Sequence, residues 1–276
     1  MADILGADTR VTTAGSGQEV HFLDVFIYQI EEGCCGMGDP ARIAKHVTFC
    51  LKPATGEGNE IARSLTEKWR NAFLCVSKKV DLSFFHDDKE SQFTHAPPSR
   101  RYLAIVNPHS GSGKAHSIYY NTVLPMILQA NDEVDLLETE YQYHAYEEIK
   151  SHSELDNYTC LIVIGGDGII SEVIQALHYN NRLDVPLGIV CGGSGNGLSM
   201  SILYESHQPY GEVEAAFSIL KGEERSMDLQ IVQDSDGHEY LSFLCLSYGS
   251  ISNIDLDSEV CVLLLFGSFL LCHRDV

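Results

Sequence analysis

Three glycine-rich segments of the sequence could bind phosphate groups. They are NPHSGSGK at residues 107–114, GGDG at residues 165–168 and GGSGNG at residues 192–197. Glycine lets the backbone approach a phosphate without a Cβ in the way, and the first turn of a following helix supplies unpaired N–H groups. Together the three segments predict a binding site for a polyphosphate.

The second segment also contains an acid, Asp167. A carboxylate beside a polyphosphate costs electrostatic energy unless it performs a task, such as holding Mg²⁺ or accepting the proton of an attacking hydroxyl. Asp167 is therefore the candidate catalytic residue. The segment by itself leaves open a second interpretation, in which Asp167 only caps the helix that follows a tight turn.

Two common phosphate-binding motifs do not match these segments. A Walker A loop needs Ser or Thr where Ala115 stands and Gly where Pro108 stands. A dinucleotide-binding G-x-G-x-x-G motif needs a third glycine where Leu198 stands. The sequence therefore argues against a P-loop and against a Rossmann dinucleotide site.

The elements that carry the three segments alternate between strands and helices beyond residue 98. Strands are predicted at residues 102–106, 134–137, 160–164 and 186–190, and helices at residues 117–130, 145–152, 169–179, after residue 197 and at 211–221. Such alternation is typical of βαβ units. We therefore expect an α/β fold with a mainly parallel sheet and flanking helices.

The remaining parts of the chain are predicted to be rich in strands. Residues 20–30 and 46–51 have strand patterns, residues 64–76 have helical spacing, and the polar residues 89–101 are typical of a linker. We therefore expect a β-rich unit and linker at 1–98, the α/β domain at 99–224 and the start of another β-rich domain at 225–276. The first unit is either a partner or lipid module or an extension that packs on the main domain.

Charge and cysteine content limit the function. The 18 basic and 39 acidic side chains give a formal net charge of −21, which disfavours nucleic-acid binding and opposes stable docking on anionic membranes. The nine cysteines lack C-x-x-C spacing, which favours reduced thiols in the cytoplasm. No metal ligands are assigned, and any membrane contact is expected to be transient and peripheral.

The glycine segments, with Glu172 following GGDG, resemble the nucleotide-binding signature of the diacylglycerol kinase and sphingosine kinase superfamily. Tyr248-Gly249 and IDLDSE at residues 254–259 are closest to sphingosine kinases. The first 98 residues resemble, more loosely, a pleckstrin-like region. The resemblance implies an ATP- and Mg²⁺-dependent lipid kinase that phosphorylates the primary hydroxyl of a sphingoid base such as sphingosine. It also implies the roles of individual residues.

The catalytic base implied is Asp167. The nucleotide contacts implied are Asn107, Pro108, His109, Gly111, Gly113, Thr139, Glu172, Gly193, Ser194, Gly195 and Asn196. The substrate contacts implied are Gly165, Gly166, Asp167, Gly168, Asn253 and Asp255.

The C-terminal tail, 260–276, departs from the family pattern, in which basic residues and a long β-rich lipid-binding region follow the Ser-Glu pair. We therefore expect a truncated or alternative form with weak or no activity. Two other functions stay open: a diacylglycerol or NAD kinase, and a non-catalytic regulatory isoform that binds nucleotide or a partner. A homodimer is also left open.

Overall fold

The computed structural model describes residues 3–13, 19–32, 39–51, 58–80, 93–111, 113–245, 249–250 and 252. The chain divides into two compact units, Met1–Met227 and Asp228–Val276. The division into three domains, with boundaries near residues 98 and 224, stays a prediction.

An antiparallel sheet of three strands, in the order β1-β2-β3, begins the first unit. Its strands are β1 (Ile4–Thr13), β2 (Glu19–Glu31) and β3 (Ala41–Leu51), and helix α1 (Gly58–Ser77) follows them. The alternation of apolar residues in β2 explains which face is covered. Leu23 and Val25 are buried in a cluster against which Phe73 of α1 packs.

The first strand was not predicted from the sequence. Its outer half is polar, with Asp8, Thr9, Arg10 and Thr12, and so lacks apolar alternation. Pairing with β2 makes it a strand, in a register that places Thr9 opposite Leu23. Tertiary pairing therefore overrides a weak local pattern here. The strand predicted at 46–51 and the helix at 64–76 both begin earlier than expected.

A parallel sheet of four strands, in the order β5-β4-β6-β7, forms the centre of the first unit. Its strands are β4 (Arg101–Val106), β5 (Glu133–Glu138), β6 (Cys160–Gly165) and β7 (Leu187–Cys191). The central strands β4 and β6 are almost entirely buried, as apolar strands are when both faces of a parallel sheet are covered. This confirms the α/β fold with a mainly parallel sheet.

The helices beside this sheet are α2 (Ala115–Ile118), α3 (Leu124–Gln129), α4 (His144–Ser151), α5 (Asp167–Tyr179), α6 (Gly197–Glu205) and α7 (Glu212–Lys221). A π-helix, Tyr119–Val123, interrupts the single helix predicted over 117–130. Pro125 follows it, and proline lacks the N–H that an α-helix would use four residues back. No helix in the described ranges is long and apolar enough to cross a bilayer.

The second unit contains an antiparallel pair, β8 (Gln230–Gln233) and β9 (Glu239–Ser242). Both strands lie within residues 225–276, which the sequence predicts to be rich in strands. The residues from 253 to 276, including Asn253, Asp255 and the apolar tail, lie outside the described residues. A lipid-binding role for this region stays a prediction.

Buried Arg42 of β3 anchors the N-terminal sheet on α7. Its backbone N–H donates to Glu214 Oε1 at 2.6 Å, and its guanidinium donates to Gln208 Oε1 at 2.9 Å and Asp3 Oδ1 at 3.0 Å. The guanidinium also stacks over the Phe217 ring, 3.8 Å from its centroid. The N-terminal sheet therefore packs on the α/β part of the same unit.

Replacing Glu214 with Ala should destabilise the protein. The Arg42 N–H would stay buried without its acceptor, so the free energy of unfolding should fall by about 1–3 kcal/mol. Urea unfolding of Glu214→Ala beside Glu212→Ala, a glutamate on the same helix, measures this. Equal losses in the two variants would contradict the role given to the Glu214 carboxylate.

Lys221 should make stability depend on alkaline pH. Its Nζ donates to the carbonyls of Ile4 and Ser77, and burial lowers the pKa of Lys221 from 10.5 to about 8. Between these two values the unfolded chain holds a proton that the folded chain has released, so the contribution of Lys221 to stability rises with pH.

Urea unfolding of wild type and Lys221→Met across this pH window tests the sign. The wild type should gain stability relative to the variant as pH rises from about 8 to about 10.5. Other groups titrate equally in both proteins and cancel in the difference. A difference that is independent of pH would contradict the depressed pKa of Lys221.

Candidate functional site

The three glycine-rich segments lie at one edge of the parallel sheet. They follow β4, β6 and β7, and β6 pairs in parallel with both other strands. The carboxyl ends of parallel strands lie at the same edge, so the segments emerge side by side. We call them loop 1 (residues 107–114), loop 2 (165–168) and loop 3 (192–197).

Backbone hydrogen bonds join the loops to one another. Asn107 N donates to Ile164 O at 3.2 Å, Gly192 N donates to Gly165 O at 3.0 Å, and Asp167 N donates to Gly195 O at 3.2 Å. The arrangement is therefore built from main-chain atoms and does not depend on flexible side chains. Asp167 and loop 3 share one site, as the polyphosphate hypothesis requires.

Two glycines are required by the close approach of the loops. A Cβ on Gly193 would lie 2.3 Å from the Cα of Gly166, well inside any van der Waals contact. Gly111 has a φ of +55°, and a Cβ there would lie 2.5 Å from Ser194 N. Loop 3 therefore touches both other loops through backbone that no side chain could share.

Ser110 is a site residue that the sequence analysis missed. Its Oγ accepts a hydrogen bond from Gly166 N at 3.0 Å. The same oxygen would lie 3.0 Å from a Cβ on Gly193, so it sits at the junction of all three loops. Its position within loop 1 was the only signal in the sequence, and nothing there distinguished it from Ser112.

Asp167 caps the helix after loop 3, which the sequence analysis did not anticipate. Its Oδ2 accepts from Gly197 N at 2.8 Å, and its Oδ1 accepts from Leu198 N at 3.3 Å. Both amides belong to the first turn of α6, whose positive end stabilises a carboxylate. Asp167 is the first residue of α5, but its side chain caps α6 and not the helix that follows its own turn. The amides of Gly197 and Leu198 therefore already have an acceptor.

Several of the predicted nucleotide contacts also shape the loops. Asn196 accepts from Gly193 N at 3.0 Å and donates to Gly193 O at 2.7 Å, which closes loop 3 on itself. Asn107 Oδ1 accepts from His109 N at 3.0 Å, and buried Thr139 donates its N–H to Val106 O at 2.8 Å. These contacts fix backbone geometry at the sheet edge.

The other predicted residues are placed as follows. Pro108 is half-buried, His109 is exposed, and Gly113 has a φ of +73° and donates its N–H to Ser110 O. Glu172 is half-buried on α5, more than one turn after Asp167. Gly168 lies in the first turn of α5 with no atom within 4 Å of a Cβ position. The predicted contacts Asn253 and Asp255 lie outside the described residues.

Three exposed N–H groups of the loops are available to a ligand. Among the described residues, the amides of Gly111, Ser194 and Gly195 donate no hydrogen bond. Gly111 and Ser194 are in direct backbone contact, and Gly195 accepts the Asp167 N–H. Unpaired amides grouped in this way can donate hydrogen bonds to an anion such as a phosphate.

A compact group of potential metal ligands lies elsewhere. Asp234, Asp236 and His238 are exposed in the turn between β8 and β9, with ligand atoms within 4.8 Å of one another. Their hydrogen bonds to one another account for this arrangement. In the part of the chain that the structure describes, no comparable group occurs at the loops.

Comparison with known proteins identifies relatives of this region. The family model described as diacylglycerol kinase catalytic domain matches residues 101–232. Sphingosine kinase 1 of Arabidopsis thaliana is 32% identical over 164 residues, which are 58% of this chain and 33% of that protein. Sphingosine kinase 2 of Homo sapiens is 30% identical over 220 residues, 75% of this chain and 32% of that protein.

A fungal protein gives a similar result. Sphingoid long chain base kinase 4 of Schizosaccharomyces pombe is 32% identical over 165 residues, 58% of this chain and 35% of that protein. The chain therefore spans about a third of the length of these curated relatives.

Two glycine-to-alanine substitutions should distinguish the effect of a steric clash between loops from the effect of helix propensity on stability. Gly193→Ala should lower the free energy of unfolding by about 1–3 kcal/mol, because its Cβ forces loops 2 and 3 apart. Gly168→Ala should leave stability equal or slightly higher, since the position is open and helical. Urea unfolding of both variants is the measurement, and equal destabilisation would contradict the described contact.

Proposed function

Because residues 101–232 belong to the diacylglycerol kinase catalytic domain family, we propose that this chain provides the nucleotide-binding half of a lipid kinase. The proposed reaction transfers the γ-phosphoryl group of ATP to the primary hydroxyl of a sphingoid base, with sphingosine giving sphingosine 1-phosphate. The observation that carries the proposal is the position of the Asp167 carboxylate beside three unpaired amides. The similarity to sphingosine kinases supports the choice of a sphingoid base.

The loops are suited to a triphosphate. The amides of Gly111, Ser194 and Gly195 would donate to phosphate oxygens, and Ser110, held by Gly166, would keep loops 1 and 2 at a fixed separation. Lys114 is exposed at the start of α2 and would add a positive charge. Phosphoryl transfer depends mainly on such positioning and charge neutralisation.

Mg²⁺ fits this site as a partner of the nucleotide. Magnesium in phosphoryl-transfer sites keeps several waters and is bound through one or two carboxylates together with substrate phosphates. Each oxygen of Asp167 accepts one N–H and retains a lone pair, so Asp167 could supply one ligand as the alternative to its role as the base. Glu172 is the second candidate. A preformed cage of three side chains is not required.

Asp167 would accept the proton of the acceptor hydroxyl. As the acceptor oxygen bonds to the γ-phosphorus, the hydroxyl proton passes to Oδ1 of Asp167, whose 3.3 Å bond to Leu198 N is the longer of the two. ATP supplies the phosphoryl group and leaves as ADP. The bond from Oδ2 to Gly197 N would hold the carboxylate in place meanwhile.

The proposed setting is the cytoplasm, with transient contact at a membrane surface where the lipid resides. The net charge of −21 supports a transient contact, since it opposes residence on an anionic leaflet. Diacylglycerol and NAD are the competing acceptors. A non-catalytic form that binds nucleotide is the competing function from another class.

Asp167→Asn should separate chemistry from nucleotide binding. Turnover should fall by about 100-fold or more, because a proton acceptor is lost. The amide keeps one oxygen to cap α6, so the dissociation constant for ATP should change by less than about threefold. Transfer of label from [γ-³²P]ATP to sphingosine, diacylglycerol and NAD measures turnover, and calorimetry measures ATP binding.

Asp184→Asn is the control for the chemical change itself, because Asp184 is an exposed carboxylate that pairs with Arg182 outside the loops. It should leave both readouts unchanged. Retained turnover in Asp167→Asn would exclude the role of the base. ATP binding without turnover in the wild type would favour the non-catalytic function, and absence of both would refute the proposal.

A further inference from the structure

Strand β3 has an open edge in the described part of the chain. It lies at the end of the sheet order β1-β2-β3, and among the described residues only β2 pairs with it. After buried Arg42, every residue from Ile43 to Cys50 is exposed, and Leu51 is half-buried. An open strand of this length presents unpaired N–H and C=O groups to another strand.

Apolar side chains project from one face of this edge. Val47 and Phe49 are opposite Val25 and Leu23 in the register with β2, so they lie on the face that α1 covers farther along the sheet. Val47 is 39% exposed and Phe49 is 48% exposed. Helix α1 therefore leaves the Val47 and Phe49 side chains of β3 exposed to solvent.

Helix α1, which covers part of the same face of the sheet, carries an exposed apolar stripe of its own. Ile61, Leu65 and Trp69 recur every four residues and are 71%, 43% and 52% exposed. Arg70, one position after Trp69, contacts Asp8 of β1 and Asn131. Since consecutive helix positions differ by about 100°, the stripe and the contact of Arg70 with β1 lie on different sides of α1.

We call the set of Val47, Phe49, Ile61, Leu65 and Trp69 the apolar face. Exposed apolar side chains beside an open strand are typical of an interaction site. A lipid bilayer would cover the side chains but would leave the polar edge of β3 without hydrogen-bond partners, at considerable cost. A second β-strand satisfies both the backbone edge and the side chains.

The open stretch of β3 is complementary to itself. It runs from residue 43 to residue 51, and Val47 is its midpoint. Antiparallel pairing of two copies about a two-fold axis at Val47 places Lys45 opposite Phe49, and Ile43 opposite Leu51. No like charges meet, because Lys45 is the one charged residue of this stretch apart from His46, which faces Thr48 of the other copy.

The charge distribution also favours contact at this end of the molecule. Residues 1–98 contain 10 basic and 14 acidic side chains, whereas residues 99–276 contain 8 and 25. Two copies of a chain with a net charge of −21 repel each other least where the acidic excess is smallest. The β3 edge belongs to the less acidic part.

We propose that two copies of this chain associate through β3, forming a continuous six-stranded antiparallel sheet with a two-fold axis at Val47. The apolar faces of both copies then lie on one side of that sheet and exclude water. Closed two-fold contacts of this kind use the same surface patch on both subunits. The parallel sheet and the glycine loops take no part in the contact.

Sedimentation velocity of the full chain over a range of concentrations tests the proposal. The wild type should show a dimer. Val47→Lys places two ammonium groups opposite each other on the axis, so the dissociation constant should rise by at least about tenfold. Leu183→Lys, at an exposed leucine of the α/β part, should leave it unchanged.

Hydrogen exchange of the β3 amides gives a second readout that does not depend on any variant. Amides at the outer edge of β3 should exchange slowly in the dimer and faster on dilution. A wild-type monomer at every concentration would overturn the proposal. So would slow exchange in the monomer, which assigns the edge to another part of the same chain, or binding to phosphatidylcholine vesicles in place of dimerisation.

Discussion

The backbone contact between Gly166 and Gly193 is the constraint on which the rest of the site depends. Parallel strands bring loops 2 and 3 to one edge, but only the absence of two Cβ atoms lets them touch. The contact places Gly195 O within reach of Asp167 N, and it places Ser110 between the loops. The positions of Asp167 and Ser110 both depend on this close approach of loops 2 and 3.

The position of Asp167 also depends on this contact. Its carboxylate binds the amides of Gly197 and Leu198, so its orientation is set before any ligand arrives. A group held in this way loses little freedom when it reacts, which is the advantage of a preorganised site. The same bonds use the first amides of α6, so the proposed phosphate contacts are the unpaired loop amides of Gly111, Ser194 and Gly195.

The sequence predicted the parallel sheet because its strands are short apolar runs that alternate with helices. It could not predict β1, whose outer half is polar and becomes a strand by pairing with β2. It predicted Asp167 from the cost of an acid among phosphate-binding glycines. It did not predict that Asp167 caps α6, because that bond joins residues 30 positions apart.

Ser110 and Asn196 illustrate the same limit. Both are polar residues in glycine-rich loops, where a ligand contact and a loop contact have the same sequence pattern. The structure gives Asn196 a loop role, through two bonds to Gly193, and gives Ser110 the junction between loops. Only distances between loops can separate these roles.

Arg42 explains why the two ends of β3 differ in exposure. Its N–H binds Glu214 of α7, and its guanidinium binds Gln208 just before α7 and stacks on Phe217, so the beginning of β3 is fixed on the α/β part. The following residues have no such anchor and stay exposed. Because the anchored end holds the strand extended, the open end is already in the conformation that another strand would need. Pairing there would cost little conformational entropy, since the backbone is ordered beforehand.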